Sequence, residues 1–116
     1  MFRVKCTHRK GWLRVQPSGE LDLQSSHAFQ TALQDAVKKH QAYRVVLDLS
    51  DLSFIDSAGV GAILSSYRFI TSLNGEMRLG PIASRVRPVV QLAQLDRLLE
   101  PATVHRPTGR GREKNA

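Results

Sequence analysis

The stretch that decides the fold of this chain is residues 45–61, VVLDLSDLSFIDSAGVG. It begins inside a compact apolar run, residues 43–49, of the kind found in a central strand that is covered on both faces. A polar turn follows over residues 50–53. The small residues and glycines of 56–61 then predict the start of a helix directly after a strand.

Upstream of this stretch, the sequence predicts two strands and a helix. Residues 2–6 alternate apolar and basic side chains, which predicts a half-exposed strand. We expect it to pair with a second strand that starts at Trp12 and ends at the turn-forming residues 17–19. Ser25 or Ser26 is expected to cap the helix. Its apolar pairs repeat every four residues along one face, namely Ala28/Phe29, Ala32/Leu33 and Ala36/Val37.

Downstream, the helix that follows Asp56 is expected to end near Asn74. Residues 76–79 predict a short strand, Ser84 is expected to cap a third helix, and residues 95–104 predict a helical turn and an edge strand. This order of elements predicts an α/β domain with a mixed sheet and right-handed crossovers. The apolar face expected for the second helix consists of Val60, Ile63, Leu64, Tyr67 and Ile70.

The length of 116 residues fits one domain, which we place at residues 1–100, followed by a basic tail at residues 101–116 that is expected to be flexible. The net charge of +7 belongs to the two ends: residues 1–14 hold five basic and no acidic residues, and the tail holds four against one. We interpret these ends as solvated termini, with an electrostatic patch for an acidic partner or nucleic acid as the alternative. No aromatic residue is interleaved with the arginines of the tail, so nucleic acid is not an expected partner.

Three absences in the sequence favour a cytoplasmic protein. Cys6 is the one cysteine, so no internal disulfide can form. The first fifteen residues lack the apolar run of a signal peptide. No stretch approaches the roughly 18 apolar residues of a membrane span, and we expect no contact with the membrane.

The sequence contains no recognisable catalytic, metal-binding or cofactor-binding pattern. The glycines around Val60 lack the downstream lysine that a phosphate-binding loop requires. Ser57 has Ile55, not glycine, two positions before it, which excludes a serine-hydrolase elbow. The histidines are scattered without the spacing of metal ligands. We therefore expect no enzymatic activity, no metal and no cofactor.

Asp56 and Ser57 admit two interpretations from local chemistry. In the first, either residue simply caps the second helix, which stabilises it by about 1 kcal/mol. In the second, Ser57 is a phosphate acceptor, because free amide groups and the positive end of the helix dipole stabilise an added charge of about −2. The small neighbours Ala58 and Gly59 leave room for a kinase.

Over roughly residues 10–100, the chain resembles the STAS domain, specifically the bacterial anti-sigma factor antagonist family. The resemblance lies in Gly19-Glu20-Leu21-Asp22, in the block 45–61 and in Gly75-Glu76-Met77. It implies a mixed sheet of four to five strands with helices packed mainly on one face.

The resemblance also implies partner switching. The unphosphorylated protein would bind an anti-sigma factor that is also a serine kinase, and this binding would free the sigma factor. Phosphorylation at Ser57 would reverse the binding, and a PP2C-type phosphatase would restore it. The kinase would supply the nucleotide, so the chain itself would need no cofactor. The acceptor loop and partner surface would include Asp22, Asp56, Ala58, Gly59 and Val60.

A second interpretation remains open at this level. The chain is then a STAS subunit without a switch, serving as a scaffold or as part of a transport system, and Ser57 is only a helix cap.

Overall fold

The computed structural model describes residues 1–102, which form a mixed sheet of five strands and four helices. Among these residues, no helix is long and apolar enough to cross a membrane. The elements in chain order are β1 (Arg3–Arg9), β2 (Trp12–Leu21), α1 (Ser26–His40), β3 (Arg44–Leu49), β4 (Leu52–Ile55), α2 (Ser57–Ser72), β5 (Glu76–Ile82), α3 (Arg87–Leu92) and α4 (Leu95–Leu98).

The sheet is built around β2, the longest strand. It pairs antiparallel with β1 through a two-residue hairpin whose loop residues, Lys10 and Gly11, both have positive φ, the conformation that a type I′ turn requires. On its other side, β2 runs parallel first to β3 and then to β4. Strand β5 pairs parallel with β3, and the strand order β1-β2-β3-β5 leaves β1 at one edge.

The expected end of β2 at residues 17–19 is wrong, because the strand continues through Pro17 to Leu21. The pairing explains the difference. Residues 13–15 of β2 pair with β3 and residues 19–21 pair with β4, so Pro17 lies between the two parallel partners. Proline lacks an amide hydrogen, and this gap in the parallel ladder tolerates it.

The helices pack mainly on one face of the sheet, as the resemblance implied. The buried strand residues on that face include Leu13, Val15, Val45, Leu47 and Leu49. The intervening residues of β2 and β3 point to the opposite, open face. The expectation that β3 is covered on both faces is therefore wrong. Alternate residues of its apolar run face the core and the open side of the sheet, and the run also contains the acidic residue Asp48.

Small residues decide which side of α2 is buried. The fully buried positions are Gly59, Ala62, Ile63, Ser66 and Ile70, whereas Val60, Leu64 and Tyr67 from the expected face are half-buried. Glycine, alanine and serine allow the helix backbone to approach its neighbours closely. The helix is therefore rotated relative to the position that its largest apolar residues predicted.

The last part of the described chain differs from expectation in three places. Strand β5 continues past Leu79 to Ile82 because a register shift against β3 accommodates Gly80 and Pro81 as a bulge. Helix α3 begins at Arg87, with Val86 and not Ser84 at the N-cap position. Pro101 and Ala102, the first residues of the expected tail, lie alongside Leu79. The rest of that tail lies outside the described residues, and its flexibility stays a prediction.

Asp48 lies on the open face, yet its residue is only 2% exposed. Its Oδ1 accepts hydrogen bonds from the Ser50 amide (2.9 Å) and hydroxyl (2.6 Å), and its Oδ2 pairs with the Arg14 guanidinium. Burial by itself raises the pKa of Asp48, but the Ser50 hydrogen bonds and the Arg14 charge outweigh burial and hold this pKa below its ordinary value. The fold therefore stabilises the ionised carboxylate.

We expect Asp48→Asn to lower the free energy of unfolding at neutral pH by about 1–3 kcal/mol, because Arg14 and Ser50 lose a charged acceptor. The pKa of Asp48 is lower in the folded than in the unfolded chain. The stability that ionised Asp48 gives the wild type is thus fully present above the ordinary aspartate pKa of about 3.9. It is lost progressively as the pH falls from there through the lower pKa of the folded state. Urea unfolding at neutral pH and at about pH 3 measures both effects.

Asp51→Asn is the matched control for this prediction. Asp51 is exposed and accepts one hydrogen bond from Gln16 Nε2 (3.1 Å). Its substitution should change the free energy of unfolding by no more than about 0.5 kcal/mol. Equal losses for the two variants, or a loss for Asp48→Asn that is as large at about pH 3 as at neutral pH, would contradict the assigned role of Asp48.

Candidate functional site

The parallel strands β2 and β4 finish side by side at their carboxyl ends, and we call this end of the sheet the Asp22–Asp56 edge. Leu21, the last residue of β2, pairs with Ile55, the last residue of β4, and the Asp56 amide donates to the Leu21 carbonyl (3.4 Å). Asp22 and Asp56 directly follow these two strand ends, and α1 and α2 begin just beyond them. The topology thus brings the two acidic loops together, although they are far apart in the sequence.

Asp56 caps α2. Its backbone is extended (φ −122°, ψ −170°), and its Oδ1 accepts a hydrogen bond from the Gly59 amide (3.0 Å). Ser57 is consequently the first residue of the helix and is exposed. Within residues 1–102, its hydroxyl has no hydrogen-bond partner. The expected helix cap is therefore confirmed for Asp56 and wrong for Ser57, since the Asp56 carboxylate already satisfies the Gly59 amide.

The Asp22 loop is held by its own polar groups. Asp22 Oδ1 accepts from the amides of Gln24 (3.0 Å) and Ser25 (3.1 Å). Ser25 stands at the N-cap position of α1, but its hydroxyl accepts from the Asp22 amide and donates to the Glu20 carbonyl (2.6 Å). The expected cap bond from Ser25 or Ser26 to α1 is therefore absent, and Ser25 fastens the loop to the end of β2 instead.

Gly59 holds the start of α2 against the end of β2. It is buried, and a Cβ atom placed on it would lie 2.2 Å from the Leu21 carbonyl oxygen and 2.9 Å from Ile55 Cγ1. No side chain larger than hydrogen fits there unless the helix moves away. Ala58 and Val60 on either side are half-buried. The glycine therefore fixes the position from which Ser57 is presented to solvent.

Leu23 is a surface feature of this edge that the sequence analysis missed. It follows Asp22 directly, and its residue is 76% exposed. An exposed leucine beside a fixed acidic loop provides apolar contact area for a partner. No local sequence pattern distinguishes Leu23 from the buried leucines, because its exposure depends on how the Asp22 loop turns away from the sheet.

This edge carries the residues of the predicted acceptor loop. Among the described residues, the Ser57 hydroxyl on the first turn of α2 has no hydrogen-bond partner, Asp56 directly precedes it, and Asp22 follows the end of the neighbouring strand β2. Nothing in the part of the chain that the structure describes brings together three or more His, Cys, Asp or Glu side chains able to hold a metal ion. The placement of Asp22, Asp56, Ala58, Gly59 and Val60 around one edge matches the predicted surface, while their roles in binding remain predictions.

The chain is similar in sequence to a known domain family and to a named member of it. The STAS domain family matches residues 3–108. The chain is 31% identical over 98 residues to the anti-sigma F factor antagonist of Paenibacillus polymyxa, and the alignment covers 84% of each protein.

Two solved structures show the same fold. One is an anti-sigma factor antagonist from Mycobacterium paratuberculosis, with a TM-score of 0.75 and 22% identity over 90% of this chain and 88% of that one. The other is the Bacillus cell fate determinant SpoIIAA in its phosphorylated form, with a TM-score of 0.64 and 23% identity over 90% and 93%. The mixed sheet expected from the resemblance is thus confirmed. The chain belongs to the STAS domain family, within its group of anti-sigma factor antagonists.

Proposed function

We propose that this chain is a partner-switching antagonist whose binding is controlled at Ser57. With Ser57 unmodified, it binds an anti-sigma factor that is also a serine kinase, and the sigma factor is released. Phosphorylation of Ser57 by that kinase weakens the complex. The observation that carries the proposal is that Asp56, and not Ser57, caps α2, so the Ser57 residue is exposed and its hydroxyl has no partner within residues 1–102.

Ser57 lies where a phosphate group can be added and removed without disturbing the fold. A phosphate on the first turn of α2 meets free backbone amides and the positive end of the helix dipole, so the fold tolerates the added charge of about −2. The Asp56–Gly59 cap does not depend on the serine hydroxyl. Phosphorylation is therefore expected to change the surface charge and to leave the fold unchanged.

The partner surface comprises the Asp22 loop with its exposed Leu23 and the start of α2, namely Asp56, Ala58 and Val60. Gly59, which the sequence also placed in this surface, is buried and instead holds the acceptor loop in position. Leu23 supplies apolar area, and the two aspartates supply charge at the rim. A phosphate in the middle of this surface adds to the negative charge already present. It also has to be desolvated when a partner docks, which is costly without a cationic partner.

The chain acts as substrate and ligand in this scheme, not as an enzyme. The kinase supplies ATP, and a PP2C-type phosphatase removes the phosphate, so the chain requires no cofactor of its own. Its place of action is the cytoplasm, where a sigma factor meets RNA polymerase. The Bacillus protein SpoIIAA, which has this fold, was solved in a phosphorylated form, and this supports the proposal that the fold can carry the modification.

The proposal is tested by locating the phosphate. The chain is incubated with its cognate anti-sigma kinase and ATP, and the product is analysed by mass spectrometry with peptide mapping. We expect one phosphate, on Ser57, and none on the Ser57→Ala variant. Ser53 is the internal control, since it is an exposed serine nearby whose hydroxyl is engaged with the Gly19 carbonyl (3.1 Å). A phosphate on any other residue would refute the switch, and no phosphate with an active kinase would favour a constitutive scaffold.

A further inference from the structure

The unpaired positive charge of the sheet is concentrated on β1. On the open face, the basic side chains of the other strands all have acidic partners: Arg14 with Asp48, Arg44 with Glu76, and Arg78 with both Glu76 and Glu100. Arg3, Lys5 and Arg9 of β1 point to the same face, since they lie opposite Ser18, Gln16 and Trp12 in the antiparallel register. All three are exposed, and none forms a salt bridge within residues 1–102.

This charge lies on a free sheet edge. Within the described range, β1 pairs only with β2, so the amide and carbonyl groups of its other side are available. Such an edge is a template for an added strand. A second copy of β1 is a poor candidate, because pairing two such strands would bring basic side chains opposite each other. An acidic strand would instead form opposite-charge pairs.

The two faces of β1 specify the added strand further. Val4 and Cys6 point towards the helices and are half-buried, packed against the core. Burial raises the pKa of the Cys6 thiol, so it stays protonated and behaves as a small apolar group. A matching strand therefore alternates acidic residues, facing Arg3, Lys5 and Arg9, with apolar residues that extend the core.

We propose that the free edge of β1 binds an extended acidic segment of a protein partner by strand addition. The segment after Ala102 does not suit this role, since residues 103–116 hold four basic residues and one acidic residue. Strand β1 runs away from the Asp22–Asp56 edge, with Arg3 opposite Ser18 and Arg9 opposite Trp12. Met1 and Phe2, which precede β1, line a cavity together with Asp22, so only the start of the strand adjoins the Asp22 loop. The proposed contact lies along β1 itself and involves neither α2 nor Ser57.

The test uses the full chain and a labelled synthetic peptide, Glu-Val-Glu-Val-Glu-Val-Glu, matched in length to the seven residues of β1. We expect salt-sensitive binding by fluorescence anisotropy and protection of β1 amides in hydrogen exchange. Replacing Arg3, Lys5 and Arg9 by Gln should weaken binding by about tenfold, since three cross-strand charge pairs are lost. The matched control replaces Arg68, Arg85 and Arg97 by Gln, which removes the same charge from exposed positions outside β1.

Three outcomes would overturn the proposal. One is an equal loss of affinity in both triple variants, which would indicate non-specific attraction. Another is undiminished binding of a peptide with proline in place of each valine, because proline cannot complete a strand ladder. The last is binding of a single-stranded oligonucleotide at β1 without binding of the acidic peptide, which would assign the edge to nucleic acid. None of these outcomes bears on Ser57, so the two proposals fail or stand separately.

Discussion

Ser57→Asp is expected to weaken binding to the anti-sigma kinase by about 10²–10³-fold, while Ser57→Ala leaves the affinity within a few-fold of wild type. The exposed first residue of α2 lies in the middle of the proposed partner surface. A permanent negative charge there is desolvated on docking and adds to the charge of Asp22 and Asp56. A penalty of about 3–4 kcal/mol corresponds to this change in affinity. Titration calorimetry with the nucleotide-bound kinase measures it directly.

The control for this prediction adds the same charge at the other end of the helix. Ser72 is the last residue of α2 and is exposed. Ser72→Asp should bind the kinase as wild type does, because it lies far from the Asp22–Asp56 edge. If Ser57→Asp bound as tightly as Ser57→Ala, the start of α2 would lie outside the interface and the proposed switch would be wrong.

The second large effect is expected at Gly59. Gly59→Ala should lower the free energy of unfolding by about 1–3 kcal/mol, because its methyl group would lie 2.2 Å from the Leu21 carbonyl oxygen and force α2 away from β2. This corresponds to a fall in Tm of roughly 4–8 °C for each kcal/mol in a domain of this size. Thermal unfolding followed by circular dichroism measures the loss. Binding should fall as well, since the same contact positions Ser57.

Gly61→Ala is the matched variant in the same helix. Apart from the backbone of its own helix and its two chain neighbours, no atom of the described residues lies within 4 Å of a Cβ atom placed on Gly61, and the residue is exposed. Replacing glycine by alanine inside a helix stabilises it by roughly 0.5–1 kcal/mol when no contact opposes the change. The two alanine substitutions should therefore move Tm in opposite directions. Equal shifts would mean that the close approach of α2 to Leu21 does not limit this position.

Most elements of this fold could be predicted from local sequence patterns. The four-residue repeat of α1 identified Phe29, Leu33, Ala36 and Val37, all of which are buried, whereas the first residues of its first two pairs are exposed (Ala28) or half-buried (Ala32). The stop near Asn74 was also correct, since Asn74 has a left-handed backbone (φ 61°). Such features depend on residues within one or two turns of each other, and a single sequence contains that information.

The predictions failed where a rule based on neighbouring residues was overridden by a contact with residues far apart in the chain. Proline usually ends a strand, but Pro17 is tolerated because β2 changes from β3 to β4 at that point. Large apolar residues usually mark the buried side of a helix, but α2 buries Gly59 and Ser66 because its packing distance selects small side chains. Neither outcome can be read from neighbours in the chain, since each depends on what lies across the sheet.

The sequence by itself determined the elements, the family resemblance and the position of Asp56 and Ser57, next to each other, at the start of a helix. It left the cap of α2 open between these two residues and treated the basic ends as solvated. Only the tertiary structure decided that Asp56 makes the cap and that the Leu21 carbonyl excludes any side chain at Gly59. It also decided that, within residues 1–102, Arg14 forms a salt bridge while Arg3 forms none. The physical reason is that strand pairing joins residues far apart in the chain, and those contacts decide which polar groups are satisfied and which remain free to bind.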